Sequence, residues 1–227
     1  IAGLTSRCGD LDPRYILRMT DAIHHRGPDD EGYLAVSSLD GRAVELGGAD
    51  SKLPLPRISD LREPSSVLLG HRRLAVLDLS DAGHQPMANP RRDLWIVYNG
   101  EVYNHPDLRS ELQRAGHRFR SRTDTEVVLA AYAEWGDDCV EHLDGMWAFV
   151  ILDLARHRLF GSRDRFGVKP LYLVHTDGLF AFASEIKAVL EAPGVERVLN
   201  PEAAFDLLVL GESTWSEQTL FTGIVEV

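Results

Sequence analysis

Strand-like and helix-like segments fall in blocks along this chain, and that order restricts the architecture more than any composition figure does. A doubly wound parallel sheet needs a crossover helix after each strand, whereas antiparallel sheets with helices outside them do not. Asp12 followed by Pro13 reads as an N-cap and a first helical residue. Ile16, Met19 and Ile23 then share one helical face until "HHRGPDDEG" breaks it. "SVLLGHRRLAVLDL" and "DLWIVYNGEVYN" follow as strand-like runs, the second setting Leu94, Ile96 and Tyr98 against Trp95 and Val97. Two helices come next. "PDLRSELQRAG" places Leu108 and Leu112 one turn apart with Gly116 as its stop, and "TDTEVVLAAYAEWG" aligns Val128, Ala131, Tyr132 and Trp135 behind a Thr123/Glu126 capping box. "GMWAFVILDLARHRLFGSRDR" and "GLFAFASE" read as strands, and "SEIKAVLEA" and "PEAAFDLLVLG" as closing helices. Gly, Pro, Asp and Ser are frequent from Ser37 to Ser66, which predicts a long loop, mobile or lid-like, with a short hairpin of its own. No repeat or linker divides the chain, so its 227 residues are expected to form one large domain.

A net charge of −11 argues against general affinity for nucleic acid or an anionic membrane, either of which needs a surplus of Lys and Arg on one face. Two cysteines, Cys8 and Cys139, no leader-like start and no apolar run long enough to span a bilayer point to a reducing, cytoplasmic setting. The nine histidines include the pair His24 and His25 but show no metal-ligand spacing, and no metal is expected.

"VYNGEVYNH" supports two readings. Asn99-Gly100 between β-branched and aromatic residues is a strong signal for a tight hairpin. An Asn amide beside a Gly N–H is also a pair of donors suited to a developing oxyanion.

Eight ordered blocks together resemble the glutaminase domain of glutamine-dependent asparagine synthetases. They are "IAGL", "HHRGPDDEG", "GHRRLAVLDLS", "VYNGEVYNH", "RTDTEVVL", "LDGMWAFVILD", "SRDRFGVKPLYL" and "ASEIKAVL". The likeness runs from Ile1 to about Leu190, and the tail "TLFTGIVEV" fits the domain's end. It implies an α+β fold of the N-terminal-nucleophile hydrolase type: a four-layer αββα sandwich of two antiparallel sheets between helices. It also implies hydrolysis of L-glutamine to glutamate and ammonia.

By the same resemblance, Arg73 pairs with the substrate α-carboxylate, and Leu74, Val76 and Leu77 line the pocket wall. Asn99 and Gly100 form the oxyanion hole, Glu101 lies at the substrate's amino end, and Asp124 holds its ammonium. Arg72 alternates to the other strand face as a solvated charge, Arg26 is a packed arginine near the site, and Cys8 is a loop or buried thiol. Family members begin Cys-Gly-Ile-Ala-Gly, so the nucleophilic cysteine is expected two residues before Ile1. Relatives carry an ATP-dependent synthetase domain that amidates aspartate to asparagine, marked by a Ser-Gly-Gly-x-Asp-Ser loop that this chain lacks. The chain is therefore read as a glutaminase domain over 1–227, with ATP and Mg²⁺ belonging to the absent synthetase half and no cofactor of its own. Glutamine, that half and a homodimer are the expected partners. The alternative is a silent scaffold or glutamine-binding domain of an asparagine-synthetase-like amide ligase.

Overall fold

A computed structural model describes residues 1–211 and 217–227. Seven strands form one antiparallel sheet: β1 (Ala2–Ser6), β2 (Asp30–Ser37), β3 (Ala43–Leu46), β4 (Ser65–Arg73), then, further along the chain, three that complete it. A second antiparallel sheet, in order, contains β5 (Met87–Ala88), β6 (Leu94–Val102), β7 (Gly145–Asp153) and β8 (Arg158–Arg163). The late strands β9 (Tyr172–Thr176), β10 (Leu179–Ala183) and β11 (Ile224–Glu226) return to the first sheet, whose order is β11-β9-β10-β1-β4-β2-β3. Helices α1 (Pro13–Ala22), α2 (His105–Arg114), α3 (Asp124–Trp135), α4 (Ile186–Val189) and α5 (Pro201–Leu210) complete the chain.

Strand parity explains the layering. In β6, Leu94, Ile96 and Tyr98 join the helix-side core with Val127, Val128, Ala131 and Tyr132 of α3, while Trp95 and Val97 face the other way. There they meet Leu34, Leu69 and Phe182 of the seven-stranded sheet, so the two sheets share an apolar layer. The far face of that sheet packs Ala2, Leu4, Leu68 and Ala181 against Ile16 and Met19 of α1 and Ala188 and Val189 of α4. Helix, sheet, sheet, helix is the expected α+β sandwich.

Local signals placed most helices. Asp12 caps α1 by accepting from the Arg14 N–H, and Thr123 caps α3 by accepting from the Glu126 N–H. Only half of the capping box forms, because the Glu126 carboxylate reaches past Thr123 to the N–H groups of Arg120 and Ser121. The "SVLLGHRRLAVLDL" run is strand only as far as Arg73. The segment from Ser37 to Ser66 does carry one strand of a hairpin, β3 paired with β2. It is not a loose lid: the Asp50 N–H donates to Glu31, the Lys52 N–H to Asp30, and Gly47 exchanges bonds with Pro56 and Ile58. Cys8 lies exposed in a loop. Among the described residues no helix is long and apolar enough to cross a membrane.

Within the seven-stranded sheet, Gly3 lies between its cross-strand partners Phe182 of β10 and Leu69 of β4, and an added Cβ would overlap the Phe182 ring and come within 2.9 Å of Leu69 Cδ2. Gly3→Ala is expected to cost about 1–3 kcal/mol by overpacking. Adding Phe182→Leu, which removes part of the obstructing ring, should make the pair cost less than the sum of the singles in urea denaturation.

Candidate functional site

The inter-sheet layer turns polar at one end. Along β6, Asn99 and Glu101 share the face of Trp95 and Val97, and along β4, His71 and Arg73 share the face of Leu69. These side chains, the preceding Ile1, the loop after β4 and the start of α3 line one pocket. All eight residues expected at the site are there: Arg73, Leu74, Val76, Leu77, Asn99, Gly100, Glu101 and Asp124.

Asn99 and Gly100 are not a hairpin turn. They stand within β6 opposite Ala148 and Trp147, and neither has a positive φ. The signal for a turn was local, and pairing along the whole of β7 overrides it. Gly100 is needed for a different reason: a Cβ there would meet the Met146 carbonyl at 2.5 Å and Trp147 Cα at 2.8 Å.

Antiparallel pairing also decides where the backbone of this strand points. Bonds from the Leu154 N–H to Asp93 and from the Tyr103 N–H to Asp144 continue the β6–β7 ladder at odd-numbered positions. The even positions Tyr98, Gly100 and Val102 therefore face the opposite edge, where β5 covers only Trp95 and Ile96. The Tyr98 N–H donates to Gln85 Oε1 at 2.8 Å, and the Val102 N–H donates to Asp124 Oδ2 at 3.0 Å. Between them the Gly100 N–H has no acceptor among the described residues. Beside it, the Asn99 side-chain nitrogen is buried without a partner. Burying an unmatched donor ordinarily costs about 1–3 kcal/mol, so two adjacent free donors mark a place prepared for an acceptor.

Asp124 is held firmly. Its Oδ2 accepts from the Tyr98 hydroxyl at 2.6 Å and from Val102, and its Oδ1 accepts from the Thr125 N–H at 2.9 Å. A carboxylate has about four acceptor positions, so about one remains for a ligand. Burial and the neighbouring Asp124 charge raise the Tyr98 phenol above its ordinary pKa and keep it a donor. Arg73 donates Nη1 to the Ser80 carbonyl at 2.9 Å and Nη2 to the Asp78 carbonyl, which folds the loop after β4 beneath the guanidinium. No carboxylate is paired with it among the described residues, so its charge and its remaining N–H donors are available. That loop is tied down at Ala75, whose N–H donates to Asp29 Oδ2, and at Asp78, which accepts from the Arg122 N–H. The bonds from Ser80 and Arg122 hold the Asp78 carboxyl down at about 2. Leu74, Val76 and Leu77 are largely exposed along the pocket rim. Arg26 lines the pocket and donates to Glu185 at 3.0 Å, a bonded arginine as expected.

Arg72 is a correction. It does alternate to the other face of β4, but α1 covers that face, and its side chain is only 4% exposed. It pairs with Asp21 at 2.9 Å, Glu31 at 3.1 Å and Asp50 at 2.7 Å. Nearby, His84 Nδ1 lies 2.7 Å from Asp30 Oδ2. Burial pushes the Asp30 carboxyl up, but the bonds from His84 and the Lys52 N–H prevail and hold it below its ordinary value. Tyr98, Gln85, His71, Met146 and Lys169 also line the pocket and were missed from sequence. For His71 a signal existed, since it sits two positions before Arg73 on one strand. Tyr98 and Asp124 are 26 residues apart, and no local pattern links them.

A sequence-family model described as a glutamine amidotransferase domain matches residues 58–227. The chain is 39% identical over 212 residues to an asparagine synthetase [glutamine-hydrolyzing] 3 of Bacillus subtilis, covering 92% of this chain and 30% of that protein. It is 37% identical over 199 residues to a putative asparagine synthetase [glutamine-hydrolyzing] 2 of Methanocaldococcus jannaschii, covering 82% of this chain and 33% of that protein. The chain thus spans about a third of the length of these curated relatives. Among solved structures, the glutamine phosphoribosylpyrophosphate amidotransferase of B. subtilis superposes with a TM-score of 0.65 at 20% identity, over 82% of this chain and 42% of that one. An allosteric regulatory enzyme of purine biosynthesis gives 0.67 at 20% identity, over 84% and 42%. At that identity the likeness concerns the fold.

Removing one member of a buried ion cluster leaves the others uncompensated. Arg72→Met is expected to destabilise the protein by about 3–5 kcal/mol in urea denaturation, because Glu31 stays buried without its cation. A solvated Arg72 would instead give a change within about 0.5 kcal/mol.

Proposed function

The chain belongs to the glutamine amidotransferase domain family, and on that premise we propose that it hydrolyses the side-chain amide of L-glutamine to glutamate and ammonia. The observation that carries this reading is the pair of unoccupied donors, Asn99 Nδ2 and the Gly100 N–H, on one wall of the pocket. A tetrahedral oxyanion is the acceptor they fit. Arg73, with donors to spare, suits the α-carboxylate, and the remaining acceptor position of Asp124 suits the α-ammonium. Glu101, on the same strand face as Asn99, adds negative charge at the amino end.

Register supports a nucleophile two residues before Ile1. Ala2 stands opposite Gly70 in β4, so a strand continued backwards puts Ile1 opposite His71 and the position two residues earlier opposite Arg73. Side chains two apart share a face, and Ile1 belongs to the inter-sheet layer. A cysteine at that position in the complete protein would present its thiol to the pocket beside Arg73. Its sulfur attacks the amide carbon, and the carbonyl electron pair moves to the oxygen held by Asn99 and Gly100. Collapse expels the amine, which leaves as ammonia with the proton carried by the cysteine's α-amino group. Water then cleaves the thioester to release glutamate and regenerate the thiol.

Ammonia is proposed to pass to a synthetase domain of the complete protein for amidation of aspartate to asparagine, as the names of the relatives suggest. ATP and Mg²⁺ are proposed requirements of that domain, and the complete protein is proposed to act in the cytoplasm.

Asn99→Ala in the complete protein tests the central assignment. If Asn99 holds the oxyanion, kcat for glutamine hydrolysis falls by about 10²–10³ with a smaller change in KM. The melting temperature should hold or rise, because the substitution removes an unmatched buried donor. Asn99→Asp, which turns a carboxylate toward the oxyanion, should abolish turnover. Normal kcat in the alanine variant would refute the assignment, and a wild-type protein that binds glutamine without cleaving it would support the glutamine-binding alternative.

A further inference from the structure

Beyond β5, the backbone groups of Tyr98 and Val102 on the open edge of β6 are occupied by side chains, and the Gly100 donor between them is left free. Tyr98 donates its N–H to Gln85 Oε1 and accepts at its carbonyl from His71 Nε2 at 3.0 Å. Both anchors are nearly inaccessible, His71 at 5% exposure and Gln85 at 6%. A carbonyl can only accept, so the imidazole proton sits on Nε2, and Nδ1 is an unprotonated nitrogen with no partner. Burial holds the imidazolium pKa down at about 3, so the ring stays neutral and keeps this tautomer at working pH.

Had β5 run further along β6, ladder bonds would have taken the groups of both Tyr98 and Gly100. Two side chains that satisfy Tyr98 alone give the strand its missing neighbour there and leave the next open-edge position, Gly100, unpaired. His71 also belongs to β4, two residues from Arg73, whereas Tyr98 precedes Asn99. Its bond to Tyr98 therefore fixes the spacing between the arginine side of the pocket and the donor side. Gln85 makes a second tie, with Nε2 3.4 Å from the Thr125 hydroxyl at the start of α3, next to Asp124.

We propose that His71 and Gln85 are positioning residues for the oxyanion donors: they clamp the Tyr98 peptide so that Asn99 Nδ2 and the Gly100 N–H stay aimed into the pocket and unpaired. In this role both act through the Tyr98 backbone and not by contact with the substrate. This rests on the glutaminase reading for its kinetic consequence, but the clamp itself is a statement about backbone bonds.

The test uses the complete protein, including the residues before Ile1, and three variants: His71→Leu, His71→Gln and Gln85→Leu. Both leucine variants should lower kcat for glutamine by about tenfold to a hundredfold while KM stays within about threefold, as expected when transition-state donors are misplaced and ground-state contacts survive. Glutamine at position 71 keeps an amide N–H near the place of Nε2 and should recover most of the loss. Hydrogen exchange at the Tyr98 amide, read without turnover, should speed by about tenfold or more in Gln85→Leu, since its acceptor is gone. Wild-type kcat in the leucine variants, a loss that His71→Gln does not relieve, or unchanged exchange at Tyr98 would overturn the proposal. If His71→Leu does not fold, the kinetic and exchange results for Gln85→Leu decide. A wild-type protein without glutaminase turnover whose Tyr98 exchange still responds would retain the clamp and refute only the glutamine reading.

Discussion

The shared apolar layer between the two sheets sets the terms for everything else in the molecule. Trp95, Val97, Leu69 and Phe182 are essentially inaccessible there, and truncating a buried Trp or Phe typically costs about 3–5 kcal/mol. Each sheet is then left with an outer face, which α1 and α4 cover on one side and α2 and α3 on the other. The pocket is that same layer continued with a different alphabet. On β6 the inward side chains run Trp95, Val97, Asn99, Glu101, and on β4 they run Leu69, His71, Arg73. Where apolar residues give way to polar ones, the sheets no longer seal, and groups on facing strands are held at fixed spacing by the packed portion behind them.

Much of this arrangement was legible in the sequence because its signals are local. The alternation in β6 marked a strand, and the Asp12 and Thr123 caps located two helix starts. The strands β2 and β9 escaped notice because "DEGYLAVS" opens on two acids and a glycine, and "YLVHT" is short and mixed. All eight expected site residues meet in one pocket, yet their bonding was not foreseeable. The Tyr98–Asp124 and His71–Tyr98 bonds join distant segments, and pairwise geometry of that kind leaves no periodic trace. The hairpin reading of Asn99-Gly100 failed because a dipeptide propensity competes poorly with nine paired positions along β7.

Arg72 and Arg73 show how little residue type decides by itself. One residue of register sends the first under α1 into three carboxylates and the second into the pocket among backbone carbonyls. The first has its charge neutralised by protein and serves to hold the long segment containing Asp50 against the sheet. The second is hydrogen-bonded by neutral groups, which fix its direction but leave its charge uncompensated. A cation oriented but not neutralised is what recognition of an anion calls for.

The open edge of β6 has a further consequence for what can be recruited there. An unpaired strand edge is ordinarily a template onto which another polypeptide can add, in augmentation or in aggregation. Such addition needs a run of alternating donors and acceptors, and here Gln85, His71 and Asp124 have already taken the groups on either side of Gly100. What is left is too short a register for a second strand to zip onto. The domain therefore keeps a sheet margin without a partner strand and without becoming adhesive, and the occupancy that reserves one donor for the pocket also shuts out extended chains.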